Sequence, residues 1–304
     1  MSESQTTAWV KAMPAVFVLI WSTGFIVARY GMPYAPPFTF LLWRYFFSIL
    51  CFLPWIVLVR VAWPRDRKQV LHLAVTGVLM HAGYLGGVWA AVKTGMGSGL
   101  SALIVGIQPV LTAIWLSTVS RVEGQASVSR RQWLGLLLGF AGLVMVVSRK
   151  FTQGMPLDHV TPENMGWAVM ALLAITSGTL YQKRFVQPCD VRTANTVQLM
   201  AAALVTIPLA AMEPEGMQWN GQLMGAMAWS VLGLTLGGSS LLYLLIQRGA
   251  AATVASLMYL VPPTTALIAW VLFDEQITAI TLLGTAITAV GVSLVVRPAP
   301  VKSA

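Results

Sequence analysis

Charge is scarce in this chain. Only 10% of its 304 residues are Asp, Glu, Lys or Arg, and the acidic ones number just 10, whereas a soluble domain carries roughly 25% charged residues. That shortage excludes an ordinary cytosolic enzyme, a disordered chain and a nucleic-acid binder. Cysteine is also sparse: Cys51 lies in an apolar run and Cys189 in a polar connection, so no disulfide framework exists. The three histidines, His72, His81 and His159, are dispersed and offer no metal site. No cofactor is expected, and no cluster of carboxylates or nucleophile dyad points to catalysis. What the chain has in abundance is apolar surface: 57% hydrophobic residues and a mean hydropathy of +0.74. The fold class this implies is all-α integral membrane, with the lipid bilayer as its surroundings.

A bilayer core of about 30 Å needs about 20 apolar residues per helix. Runs of that kind occur ten times, at 13–29, 37–60, 70–92, 98–119, 131–148, 164–186, 192–212, 222–247, 251–272 and 277–296. They use nearly the whole sequence and leave no soluble domain. The first run reads as a retained helix, because no small-x-small cleavage site follows it and Arg29 and Tyr30 mark an interfacial stop. The +9 net charge comes from lysines and arginines between the runs: fourteen fall on the amino-terminal side of the membrane and four on the other. The positive-inside rule therefore places both termini in the cytoplasm. Trp9, Trp63, Trp133, Trp167, Trp219 and Trp270 fall near span ends, as in an aromatic belt.

The sequence also repeats itself. Shifted by 154 residues, Ser22-Thr23-Gly24 meets Thr176-Ser177-Gly178, and Pro54 meets Pro208. Gly83 meets Gly237, Trp89 meets Tyr243, and Pro109 meets Pro263. In the last span the offset shortens to 149, and Gly142 meets Gly291. Each copy holds five predicted spans, an odd number, so the second copy must insert upside down. The expected architecture is ten transmembrane helices in two inverted five-helix repeats, 14–148 and 166–297. Secondary transporters use this arrangement to place a solute near mid-membrane between repeats.

Trp21-Ser22-Thr23-Gly24-Phe25 followed by Arg44, Gln108-Pro109 in the fourth span, and Glu275 with Gly284 and Gly291 resemble the drug/metabolite transporter superfamily in its EamA branch. The likeness covers both halves. It implies a bacterial inner-membrane exporter of amino acids or related metabolites, of the aromatic amino acid exporter type. It also implies that spans three, four, eight and nine line a central cavity, with one and six beside them.

No carboxylate falls inside a predicted span. Proton relays and intramembrane cation sites usually use one, so an uncoupled facilitator driven by the solute gradient leads. Arg44, about seven residues into the second span, either grips a solute carboxylate or ties nearby carbonyls, Asp274 or Glu275. His81 and Tyr84 share a face of the third span, where an imidazole either binds solute or is satisfied by a neighbouring helix. Gln108 precedes Pro109 half-way along the fourth span. That proline frees a backbone carbonyl, as Pro262 and Pro263 do in the ninth, and all three are candidate hinges. Ser22, Ser177 and Ser240 offer neutral hydrogen bonds, and Trp21, Tyr243 and Tyr259 large apolar faces. An amino acid needs that mixture, although serines also glue membrane helices and aromatics also pack.

The function these residues suggest is export by alternating access, with helix hairpins 3–4 and 8–9 rocking. Carriage of drugs or nucleotide-linked sugars in the same fold, or a membrane channel, are the alternatives. Small-xxx-small pairs such as Gly135 and Gly139 suggest packing within a monomer, or a weak homodimer through spans five and ten.

Overall fold

The computed structural model describes residues 3–96, 101, 104–123, 128–152, 160–248, 251–273 and 279–296. Their regular structure is helical, with no strand among them. α1 (Glu3–Gly31) and α2 (Pro37–Val59) are followed by a rod made of α3 (Arg67–Gly77), a π-helical segment (Val78–Leu85) and α4 (Gly86–Lys93). Then come α5 (Gln108–Glu123), α6 (Arg130–Thr152), α7 (Pro162–Phe185) and α8 (Val191–Ala211). A second composite rod joins α9 (Gly221–Trp229), a π segment (Ser230–Ser239) and α10 (Ser240–Arg248). The chain closes with α11 (Ala251–Ser256), a 3₁₀ turn (Leu257–Leu260), α12 (Val261–Phe273) and α13 (Ala279–Val296).

Pro37–Val59, Arg67–Lys93, Val191–Ala211 and Gly221–Arg248 are each long and apolar enough to cross a bilayer. The predicted runs 98–119 and 251–272 are not single helices. α5 begins only at Gln108, and the ninth run changes helix type at the 3₁₀ turn. Asp158, His159, Gly249, Asp274 and Glu275 lie outside the described residues.

Local sequence sets the ends. Thr161 accepts from the Asn164 amide in a reciprocal capping box, and Pro162 opens α7, where its missing N–H costs nothing. Arg60 ends α2 with φ of 54°. α2 also starts on a proline, but Pro36 supplies no cap. Its free amides are served from afar: the Glu213 carboxylate accepts from the Phe38 and Thr39 N–H groups and from the Thr39 hydroxyl, each at 2.8 Å. An anion suits the positive end of the helix dipole. At this end Lys93 also pairs with Glu215 at 2.7 Å, and the Tyr34 hydroxyl donates to Gln222 at 2.6 Å. At the opposite, amino-terminal end, the Gln69 side chain donates to the Gln187 carbonyl and accepts from its amide, at 2.8 and 3.0 Å.

Lipid tails give apolar side chains no reason to hide, so helix association relies on close packing. α2 and α8 accordingly expose Leu58, Val57, Leu204 and Ile207. Backbones meet closely where Gly77 of α3 lies against Gln198 of α8, and again where α6 crosses α13. A Cβ on Gly135 would lie 2.6 Å from the Gly291 carbonyl, and one on Gly142 2.5 Å from that of Gly284. The small-xxx-small glycines of these helices are thus used within the chain. Gly291→Val should cost about 1–3 kcal/mol by overpacking and lower the unfolding midpoint in detergent. Gly166→Ala, with open space around it, should leave that midpoint in place.

A polar connection adds a pH effect. Asp190 caps α8 and holds the Arg192 guanidinium at 2.7 and 2.9 Å, which keeps its carboxyl below the usual carboxylate range. Its contribution is complete above that range and fades as pH falls through the depressed value. Asp190→Asn should flatten the acid limb of the thermal-stability profile.

Candidate functional site

The two π segments carry the site. A π turn offsets hydrogen bonding by one residue and opens the backbone to side-chain donors and acceptors. In the second segment the Thr235 and Ser239 hydroxyls donate five residues back, to the Ser230 and Leu234 carbonyls, at 3.0 and 3.3 Å. Thr235 is thereby held to accept from Arg44 Nε at 2.8 Å. In the first, the Tyr45 hydroxyl donates to the His81 carbonyl at 2.9 Å. Tyr84, also in that segment, stacks on Trp21 of α1 with ring centroids 6.4 Å apart and planes within 5°.

That ring pair is the meeting point of three chambers. The largest encloses about 570 Å³ of empty space, its open side included, and is walled by Trp21, Tyr84, Leu85, Val88, Trp89 and Leu234 around Arg44. A second, of about 360 Å³ with its open side included, runs between the same rings, Ser101, Met258 and Pro262. The third, of about 270 Å³ with its open side included, lies toward the amino-terminal end among His81, Gln182, Gln198, Ser239 and Tyr243. Arg44 is 2% exposed, and no carboxylate among the described residues pairs with it.

Of the residues the sequence singles out, Trp21, Arg44, His81, Tyr84, Tyr243 and Pro262 line these chambers. Gln108 is buried close by; its Nε2 donates to Thr179 at 3.3 Å and its Oε1 has no partner. The others are placed elsewhere. Ser22 donates to the Val18 and Val261 carbonyls at 2.6 and 3.3 Å, tying α1 to α12 as helix glue. Ser177 is exposed on α7, because its neighbours Thr176 and Gly178 take the inward positions. Ser240 accepts from Asn195 at 3.1 Å, between α10 and α8. Tyr259 is buried with its ring against Gly139, where a Cβ has no room; the 3₁₀ turn gives Met258 the place facing the cavity.

The prolines also differ from expectation. Pro109 does not break a continuous helix; it sits in the first turn of α5, after a turn at 106–107 in which Ile107 N–H bonds the Ile104 carbonyl at 3.1 Å. Pro262 and Pro263 likewise open α12 after the 3₁₀ turn. The interruption is real at both places, and the prolines mark where the helix resumes. Ser239, which with Ser240 offers a neutral hydrogen bond in the sequence, also lines the third chamber, whereas Gln182 and Gln198 are not among the expected site residues. Gln198 had a usable signal, since the repeat aligns it with Arg44.

Comparison with known proteins decides the family. Residues 11–148 and 164–297 each match the EamA-like transporter family. The chain belongs to that family. An uncharacterized transporter of Archaeoglobus fulgidus is 23% identical over 291 residues, covering 92% of this chain and 94% of its own length. The uncharacterized inner membrane transporter YedA of Escherichia coli K12 is 26% identical over 289 residues, covering 92% and 89%. A solved structure titled "Crystal structure of protein" superposes with a TM-score of 0.74 at 16% identity, over 93% of this chain and 95% of that one; it shares the fold. This EamA-like chain is therefore a membrane transporter. Within it, Tyr45→Phe should strip the His81 carbonyl of its buried donor and cost about 1–3 kcal/mol. Thermal unfolding of the purified variant in detergent measures that loss.

Proposed function

We propose that the protein is a secondary transporter that exports amino acids or related small carboxylates across the bacterial inner membrane. The observation that carries this reading is the Arg44 guanidinium, buried beside Thr235 and open to a chamber walled by Trp21, Tyr84 and Trp89. A buried cation without an ionic partner is costly, and a solute carboxylate is the natural group to complete it. The apolar wall suits an aliphatic or aromatic body on the same solute.

Movement follows alternating access between two inverted five-helix repeats, 14–148 and 166–297, with both termini in the cytoplasm. The Trp21–Tyr84 pair stands between chambers that lead toward opposite ends of the bundle, and the interruptions ahead of Pro109 and Pro262 are the bending points. The described carboxylates lie in end connections (Asp66, Asp190, Glu213 and Glu215) or at helix ends (Glu3, Glu123 and Glu163), which favours a facilitator driven by the solute gradient.

Counterflow of labelled amino acids into proteoliposomes tests the reading. Arg44→Met should lower kcat/KM by roughly 10–100-fold, the loss of a charge-assisted hydrogen bond worth about 1.5–3 kcal/mol. Tyr259→Phe and Ser240→Ala should transport normally. Undiminished counterflow by Arg44→Met would remove the carboxylate site.

A further inference from the structure

We propose that the chamber lined by His81, Gln182 and Gln198 is a second solute station, the internal counterpart of the Arg44 chamber, and that the neutral amide of Gln198 receives the solute's carboxylate on the way to the amino-terminal end. The inference rests on the carrier reading above and adds a binding site to it.

The walls of the two chambers correspond under the same 154-residue shift that relates the halves of the sequence. Arg44 maps to Gln198, Trp89 to Tyr243 and Trp21 to Ile175. Val88 maps to Leu242, Leu85 to Ser239 and Ala28 to Gln182, while Leu234 of the large chamber corresponds to Met80 of the small one. All of these residues line their respective chambers, so the duplication holds in the cavity walls as well as in the helices. The two chambers are mates.

Chemistry separates them. The large chamber has one full charge in an apolar wall. In the small one the guanidinium is replaced by an amide, and Gln182 and Ser239 stand where Ala28 and Leu85 stand in the other. Gln198 is 2% exposed, its side chain lies within hydrogen-bonding reach of His81, and its Nε2 donor is left without an acceptor. A buried donor left unmade costs free energy that an incoming acceptor restores. One wall of the small chamber is also tied in place: Tyr243, the mate of Trp89, has its hydroxyl against Cys189 at 3.2 Å and its carbonyl bonded by Gln182 at 3.4 Å. A carboxylate held by Arg44 on one side meets only neutral partners on the other. Weaker holding there favours departure, since a transport site must let its solute go.

The test is sidedness of KM in oriented proteoliposomes, with a panel of neutral L-amino acids and their 2-oxo acids. Gln198→Met, which keeps the shape and removes the donor, should raise KM about tenfold for solute presented at the amino-terminal end and leave the opposite end unchanged. Gln198→Arg should lower KM at that same end, which no packing defect does. Arg44→Met should show the reverse sidedness. If wild type moves amino acids but both Gln198 variants match it, or shift both sides equally, the second station falls and the amino-acid reading stands. If wild type moves only the 2-oxo acids, the amino-acid reading falls and the Gln198 comparison is decided on those carboxylates. Transport of neither class overturns both.

Discussion

A backbone crossing lipid must satisfy its own N–H and C=O groups, and this constraint fixes where the chain can be irregular. The π segments at 78–85 and 230–239, the turn at 106–107 and the 3₁₀ turn at 257–260 all border the chambers. In the π segments, carbonyls find hydroxyl donors in Tyr45, Thr235 and Ser239. Placed on the lipid-facing side, the same irregularities would leave polar groups in hydrocarbon at several kcal/mol each. The site exists because the interior tolerates what the exterior forbids. Arg44 illustrates the dependence: its hydroxyl partner is in position because the helix carrying Thr235 is wound as a π turn.

Hydropathy alone places helices in every predicted run, and the intramembrane Arg44 and His81 are conspicuous in apolar surroundings. What the sequence hides is facing. An α-helical wheel presumes 3.6 residues per turn, whereas π and 3₁₀ segments add or remove residues and rotate everything beyond them. The sequence alone offers Tyr259 to the cavity; the 3₁₀ turn sends it to Gly139 and leaves Met258 there. Ser177 fails for a simpler reason, since Thr176, Ser177 and Gly178 are consecutive and cannot all point inward. Gln198 looks like one more polar residue in an apolar span until its repeat partner is considered.

The two ends of the bundle are secured differently. At the 31–37 end a carboxylate from the α8–α9 connection caps α2 across the bundle, with an ion pair beside it. At the amino-terminal end neutral amides and a thiol–phenol contact bring the 186–190 connection against α3 and α10. Both fastenings are made by connections of the second half. Charge-assisted hydrogen bonds are roughly twice as strong as neutral ones, so the Glu213 cap is a stronger tie than the Gln69–Gln187 pair. At the latter's end Lys183 adds one charged donor, to the Gln247 carbonyl at 3.1 Å. The wide chamber nevertheless lies on the Arg44 side of the ring pair, which separates the strength of an end closure from the size of the space behind it.

The crossing of α6 and α13 has a mechanical corollary. Carbonyl oxygens of each helix occupy the hollows left by missing side chains on the other, so neither rod can slide or roll without one backbone striking its neighbour. Such a seam serves as a keel: it holds α6 and α13 together as one body, and any relative displacement within the bundle is left to helices with looser contacts.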